Sequence, residues 1–184
     1  MQKIKLGLFF LLFSSSIFGQ PKINSVLKQK LDSIFNEDQK WRELFATGLV
    51  QTKSDSLAES FKIEKKELFS YVLKMTSLSD SLNIIEIEKV IKEYGYPGKT
   101  LVGTETNNAA FFVIQHSKKI DKYLPIIKKA AIKKEISFQL YAMMLDRSLM
   151  YKGKEQIYGT QGQIIEGISP LTGKKERVRG TNEG

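Results

Sequence analysis

A chain of 184 residues with 41% hydrophobic and 27% charged residues, 13 Gly and 4 Pro is long enough for one domain with a sizeable core. That composition excludes collagen-like, proline-rich and wholly disordered proteins, and the lack of cysteine excludes disulfides, thiolate zinc sites, cysteine nucleophiles and a lipidated cysteine. The 29 Lys and Arg against 20 Asp and Glu leave +9, which favours anionic partners and names none.

Residues 1–19 read as an export signal. Lys3 and Lys5 precede an apolar run from Ile4 to Phe13, and the following residues to Gly19 are mostly small, as cleavage requires. The run is short of the ~20 residues of a spanning helix. Cleavage after Gly19 is therefore expected, leaving residues 20–184 as one periplasmic or secreted domain with no stable membrane span. Loss of Lys3 and Lys5 takes the formal charge from +9 to +7, so the basic character belongs to the domain itself.

Over 23–45, Val26, Leu27, Leu31, Ile34, Phe35, Trp41, Leu44 and Phe45 recur at helical spacings, which predicts one or two helices. The polar stretch 47–56 reads as a loop ending in a cap near Asp55 or Ser56, and 57–75 as a second helical region. Asp80 is placed as the N-cap of a helix running to Tyr94, stopped by Gly95, Tyr96, Pro97 and Gly98. The segment 104–117, apolar almost all round, predicts a central buried helix; 122–134 predicts a short amphipathic helix and 135–151 another. Beyond Gly153, 156–160 and 163–165 resemble short strands between glycine turns. The expected fold is mainly α: a single compact helical domain with a small irregular or β-hairpin C-terminal portion.

The sequence holds no phosphate-cradling glycine loop, nucleophile elbow, His-Glu-x-x-His pair or calcium loop. His116 is the lone histidine, so a transition metal would need carboxylates for most of its ligands, and neither metal nor cofactor is expected. Lysines scattered over helix faces, without interleaved aromatics, argue against a nucleic-acid partner.

Polar residues on apolar stripes are the remaining signal. Ala109, Phe112, Val113 and His116 lie three and four apart, so the imidazole points inward. Asp146 shares a face with Ala142, Met143, Leu149 and Met150, and Arg147 lies on the stripe of Leu140, Met144 and Tyr151. Buried charges are costly unless paired, which brings His116, Asp146 and Arg147 together or onto a ligand. One reading is a pocket in which Asp146 orients His116 as a general acid or base, Arg147 holds an anionic group, and hydrolysis is the chemistry within reach. The alternative is a buried structural network in a non-catalytic binding or interaction protein.

The strings Asp38-Gln39 with Arg42, Asp80 with Asn83, Gly95-Tyr96-Pro97, Val102-Gly103, Gln115-His116, Asp146-Arg147, and Gln156 followed by Tyr158-Gly159-Thr160-Gln161 occur in this order. As an ordered set spanning 38–161, they resemble a bacterial family known only as domain-of-unknown-function family 6624. Tyr96 stands where that family usually has Trp, and Ser117 where it has alanine. The resemblance transfers no activity. It implies a shared polar constellation of Gln115, His116, Asp146, Arg147, Tyr158, Thr160 and Gln161, with His116 and Asp146 as catalytic candidates and the others as ligand-binding candidates. The partner it serves, small molecule or protein, is left open.

Overall fold

The computed structural model describes residues 23–168 and 175–180, and the chain is mainly helical there, with eight α-helices among the described residues. The expected export signal, 1–19, lies outside the described residues.

The first helix, α1 (Ser25–Ala46), is a single unbroken rod capped by Asn24, whose side chain accepts from the Leu27 N–H at 3.0 Å. Its buried positions are Leu27, Leu31, Ile34, Asp38 and Trp41, steps of four and three that trace one face of a helix. Where a loop was expected, the chain forms α2 (Leu49–Thr52) and begins α3 (Ser54–Phe61). Lys62, in the left-handed region at φ 56°, ends α3 and splits the stretch expected as one helix over 57–75. A short 3-10 turn then leads into the 27-residue α4 (Leu68–Tyr94).

Asp80 consequently sits inside α4 and is not an N-cap. The serine-rich run around it stays helical because its hydroxyls find carbonyl partners. Thr76 Oγ1 donates to Val72 O and Ser81 Oγ to Ser77 O, both at 2.8 Å. Ser79 Oγ reaches across to Glu37 O of α1 at 2.9 Å, and Asn83 Nδ2 donates to Ser79 Oγ at 3.1 Å. A run that reads as a helix boundary is thus the polar seam between α1 and α4.

Gly95, at φ 73°, turns the chain out of α4, and Gly98 passes so close to the Glu135 side chain that a Cβ there would collide with it. The remaining helices are α5 (Lys99–Val102), α6 (Ala109–His116), α7 (Ile120–Ile132) and α8 (Phe138–Tyr151). β1 (Gln163–Ile168) and β2 (Lys175–Gly180) run antiparallel with Gln163 opposite Gly180; the expected hairpin would close through 169–174, outside the described residues.

The main core gathers Leu31 of α1, Ile87 of α4, Phe111, Val113 and Ile114 of α6, Ile127 of α7 and Met144 of α8. A second cluster places Trp41 with Val50, Leu68 and Val72, with Phe61 and Tyr71 rings 5.6 and 6.0 Å from the indole. Glu88 pins α4 to α7: Lys119, Lys122 and Tyr123 all donate to it, and these bonds, Lys119 first, pull its carboxyl down to about 2.

Candidate functional site

Two buried aspartates organise the polar residues of this chain. Asp38 occupies a core position of α1, with its side chain wholly withdrawn from solvent. His116, the last residue of α6, places Nδ1 at 2.8 Å from Oδ2 and 3.1 Å from Oδ1 of that carboxylate. Gln39 Nε2 donates to Asp38 Oδ2 at 2.7 Å. Arg42, one turn further along α1, holds Nε at 3.7 Å from Asp38 Oδ2 and donates through its Nη2 to Asp80 of α4.

A carboxylate can only accept, so the hydrogen of a neutral His116 ring belongs on Nδ1, leaving Nε2 with its lone pair. Nε2 has no partner among the described residues, and the ring is 17% exposed. Asp38, Asp80 and His116 each offer a ligand atom within 4.8 Å of the others. The Arg42 guanidinium already lies against both carboxylates, and a dication would meet its charge at close range. As arranged, the cluster is an ion network closed by Arg42, and a metal would have to displace that side chain.

The expected pairing of His116 with Asp146 does not form. Asp146 lies in α8, equally buried, and its carboxylate is saturated by the loop that follows. Oδ1 accepts from the N–H groups of Ile157 at 2.9 Å and Tyr158 at 3.0 Å; Oδ2 accepts from the N–H and the hydroxyl of Thr160, both at 2.9 Å. Burial by itself would raise this carboxyl. The donors, from Thr160 N–H, Tyr158 N–H, the Thr160 hydroxyl and Ile157 N–H, outweigh it and hold the group below its ordinary value.

The residues expected as short strand over 156–160 therefore wrap a carboxylate and pair with no strand among the described residues. Gly159, at φ 63°, supplies the left-handed turn that aims consecutive N–H groups at Asp146. Gln156 and Gln161 close the loop reciprocally, Nε2 of the first donating to O of the second and N of the second to Oε1 of the first, each at 2.8 Å. Gln161 Nε2 also donates to Met143 O at 3.0 Å, and Arg147 Nε donates to Gln161 Oε1 at 3.1 Å. Arg147 thus braces the loop and does not neutralise Asp146. Tyr158 is half exposed, its ring edge-on to Phe138 with centroids 5.8 Å apart.

Of the seven residues singled out from the sequence, Asp146, Arg147, Thr160 and Gln161 meet in this loop lock, with Tyr158 contributing its backbone. His116 belongs to the other centre. Gln115 beside it is buried, and its Oε1 has no partner among the described residues. Sequence reasoning missed Asp38 as the partner of His116, although Leu27, Leu31, Ile34 and Trp41 flank it on one stripe. An acid on such a stripe is the same signal that singled out Asp146.

No curated protein and no solved structure matches the chain. One family model matches residues 65–178, which takes in Asp80, His116, Asp146 and the lock but leaves Asp38 and Arg42 outside the matched span. The match covers more than half of the sequence, and the chain belongs to that family, the family of unknown function DUF6624.

Proposed function

We propose that this chain is exported by its N-terminal segment, cleaved after Gly19, and that the mature protein acts on a small polar ligand at the Asp38–His116 dyad. The observation that carries this reading is the fully buried Asp38 carboxylate on His116 Nδ1, with Nε2 left unengaged. Such a pair holds one tautomer and presents a basic nitrogen outward, the requirement for taking a proton from water or a substrate hydroxyl. Hydrolysis is the simplest reaction for it.

The charge count narrows the ligand. One guanidinium stands against two carboxylates, so with a neutral imidazole the cluster carries a net −1. A neutral polar group suits that field better than an anion does. A second reading rests on the Arg42 bridge between Asp38 and Asp80, which ties α1 to α4 and would serve a non-catalytic protein as a structural clamp.

Nitrogen-15 spectra of the lone histidine test the dyad without knowledge of the substrate. In the neutral ring the hydrogen is expected on Nδ1 with Nε2 free; an Nε2–H tautomer overturns it. Chromogenic esters and glycosides then test the chemistry. A turnover lost by about a hundredfold or more in both H116Q and D38N, with H116Q unfolding near the wild-type midpoint, supports the enzyme. Strong destabilisation by H116Q without turnover on any probe favours the clamp.

A further inference from the structure

The chemistry of the ligand can be read from the polar atoms left over around the dyad, an inference that rests on the reading of Asp38 and His116 given above. His116 Nε2, Asp80 Oδ2, Arg42 Nη1 and Gln39 Oε1 make no hydrogen bond among the described residues. All four belong to half-buried residues, and none of these atoms is sealed from solvent, in contrast to Arg42 Nε. They sit close together. Carboxylate oxygens of Asp38 and Asp80 and a ring nitrogen of His116 lie within 4.8 Å of one another, with Gln39 bonded to the first carboxylate and Arg42 to the second.

An aromatic wall stands beside them. Phe112, one turn before His116 on α6, has its ring centroid 6.5 Å from the imidazole with the planes 30° apart. Phe35, one turn before Gln39 on α1, lies 5.5 Å from Phe112. Phe111 is fully buried, whereas Phe112 and Phe35 keep part of their surface in solvent. The polar atoms comprise three acceptors and one donor in a cluster of net −1, which disfavours an anion. An amine would meet Arg42 as a like charge. A hydroxyl donates and accepts at once, and the neighbouring Arg42 and Asp80 offer one group of each kind. C–H groups carry slight positive charge and settle on the negative face of an aromatic ring.

We propose that the dyad binds a neutral hexopyranose, its C–H face on Phe112 and Phe35 and its hydroxyls shared among Arg42, Asp80, Gln39 and His116. A neutral sugar joins hydroxyls at its rim to C–H groups on its face, which is the pairing that these two features ask for.

Methyl pyranosides of glucose, galactose, mannose and N-acetylglucosamine are the probes, titrated into the full chain and followed by saturation-transfer difference and nitrogen-15 spectra. At least one should bind saturably, receive most transfer at its ring C–H protons when the aromatic resonances are irradiated, and shift His116 Nε2. Affinity should fall about tenfold or more in F112L, and the corresponding 6-uronate should bind the wild type about tenfold or more weakly than the neutral sugar. The uronate comparison uses no variant, so it decides even where F112L is unstable. No saturable binding of any probe, unchanged affinity in a folded F112L, or a uronate bound as tightly as its neutral sugar overturns the proposal. The dyad is judged separately. An Nδ1–H tautomer with no sugar bound leaves the dyad and ends the sugar site, whereas a bound sugar beside an Nε2–H tautomer supports the sugar site and ends the catalytic reading.

Discussion

Asp38 and Asp146 are both carboxylates removed from water, yet they are satisfied by opposite means. Asp146 takes three backbone N–H groups and one hydroxyl from a single short loop in its own neighbourhood of the chain. Asp38 takes side chains, from His116 far away in sequence and from Gln39 on its own helix, with the Arg42 guanidinium facing it only as an ion pair at 3.7 Å. Backbone donors fix a chain path and leave nothing over for chemistry. Side-chain donors are altered by the carboxylate they bind: the imidazole is held in one tautomer and the guanidinium is shared with Asp80. The first arrangement is a lock, the second has the form of a site.

Removing the lock should cost most. Asp146→Ala strands the donors at Ile157, Tyr158 and Thr160, and water can reach only some of them, so a loss of about 3 kcal/mol is expected in denaturant unfolding. A loss below about 1 kcal/mol would break the comparison, because the loop would then hold without its carboxylate. The same lock has a pH signature. The Asp146 carboxyl is depressed in the folded state, so its contribution is complete above the unfolded value near 3.8 and disappears as pH falls through the lower folded value. Amide exchange of 157–160 should therefore accelerate below about pH 4 in the wild type and be indifferent to that step in the Asp146→Ala variant.

Arg42→Ala comes next. It leaves Asp38 with His116 and Gln39 only and frees Asp80 to water, so about 2 kcal/mol should be lost. The double cycle with Asp80→Ala sharpens the point: coupling well above the few tenths typical of exposed pairs marks a clamp between α1 and α4, measured by the same unfolding curves. Arg147→Ala should cost least, about 1 kcal/mol or less, since its Nε bonds the Gln161 amide and not a carboxylate. A loss approaching that of Asp146→Ala would show that Arg147 compensates the buried charge after all.

How much was legible before folding varies along the chain for physical reasons. Helical periodicity reports local geometry, so the helices at 23–45 and 135–151 could be read from the spacing of Leu31, Ile34 and Trp41, or of Ala142, Asp146 and Leu149. The serine run at 77–81 misled because a hydroxyl favours a cap until it finds a carbonyl one turn back or across the seam, as Ser81 and Ser79 do. Asp38 and Arg42, four apart, look like an exposed pair, and nothing in their spacing says which acid the histidine 78 residues away will meet.

By itself, therefore, the sequence determined that the protein is mainly helical and basic, that it holds no thiol chemistry, and that His116 and Asp146 lie on otherwise apolar stripes. Tertiary structure alone decided the pairings, because a buried charge accepts whichever donor the packing of distant helices delivers. Docking α6 against α1 gave His116 to Asp38. The left-handed turn at Gly159 gave Asp146 the backbone of its own loop, and a residue that reads as half of a catalytic pair became the anchor of a turn.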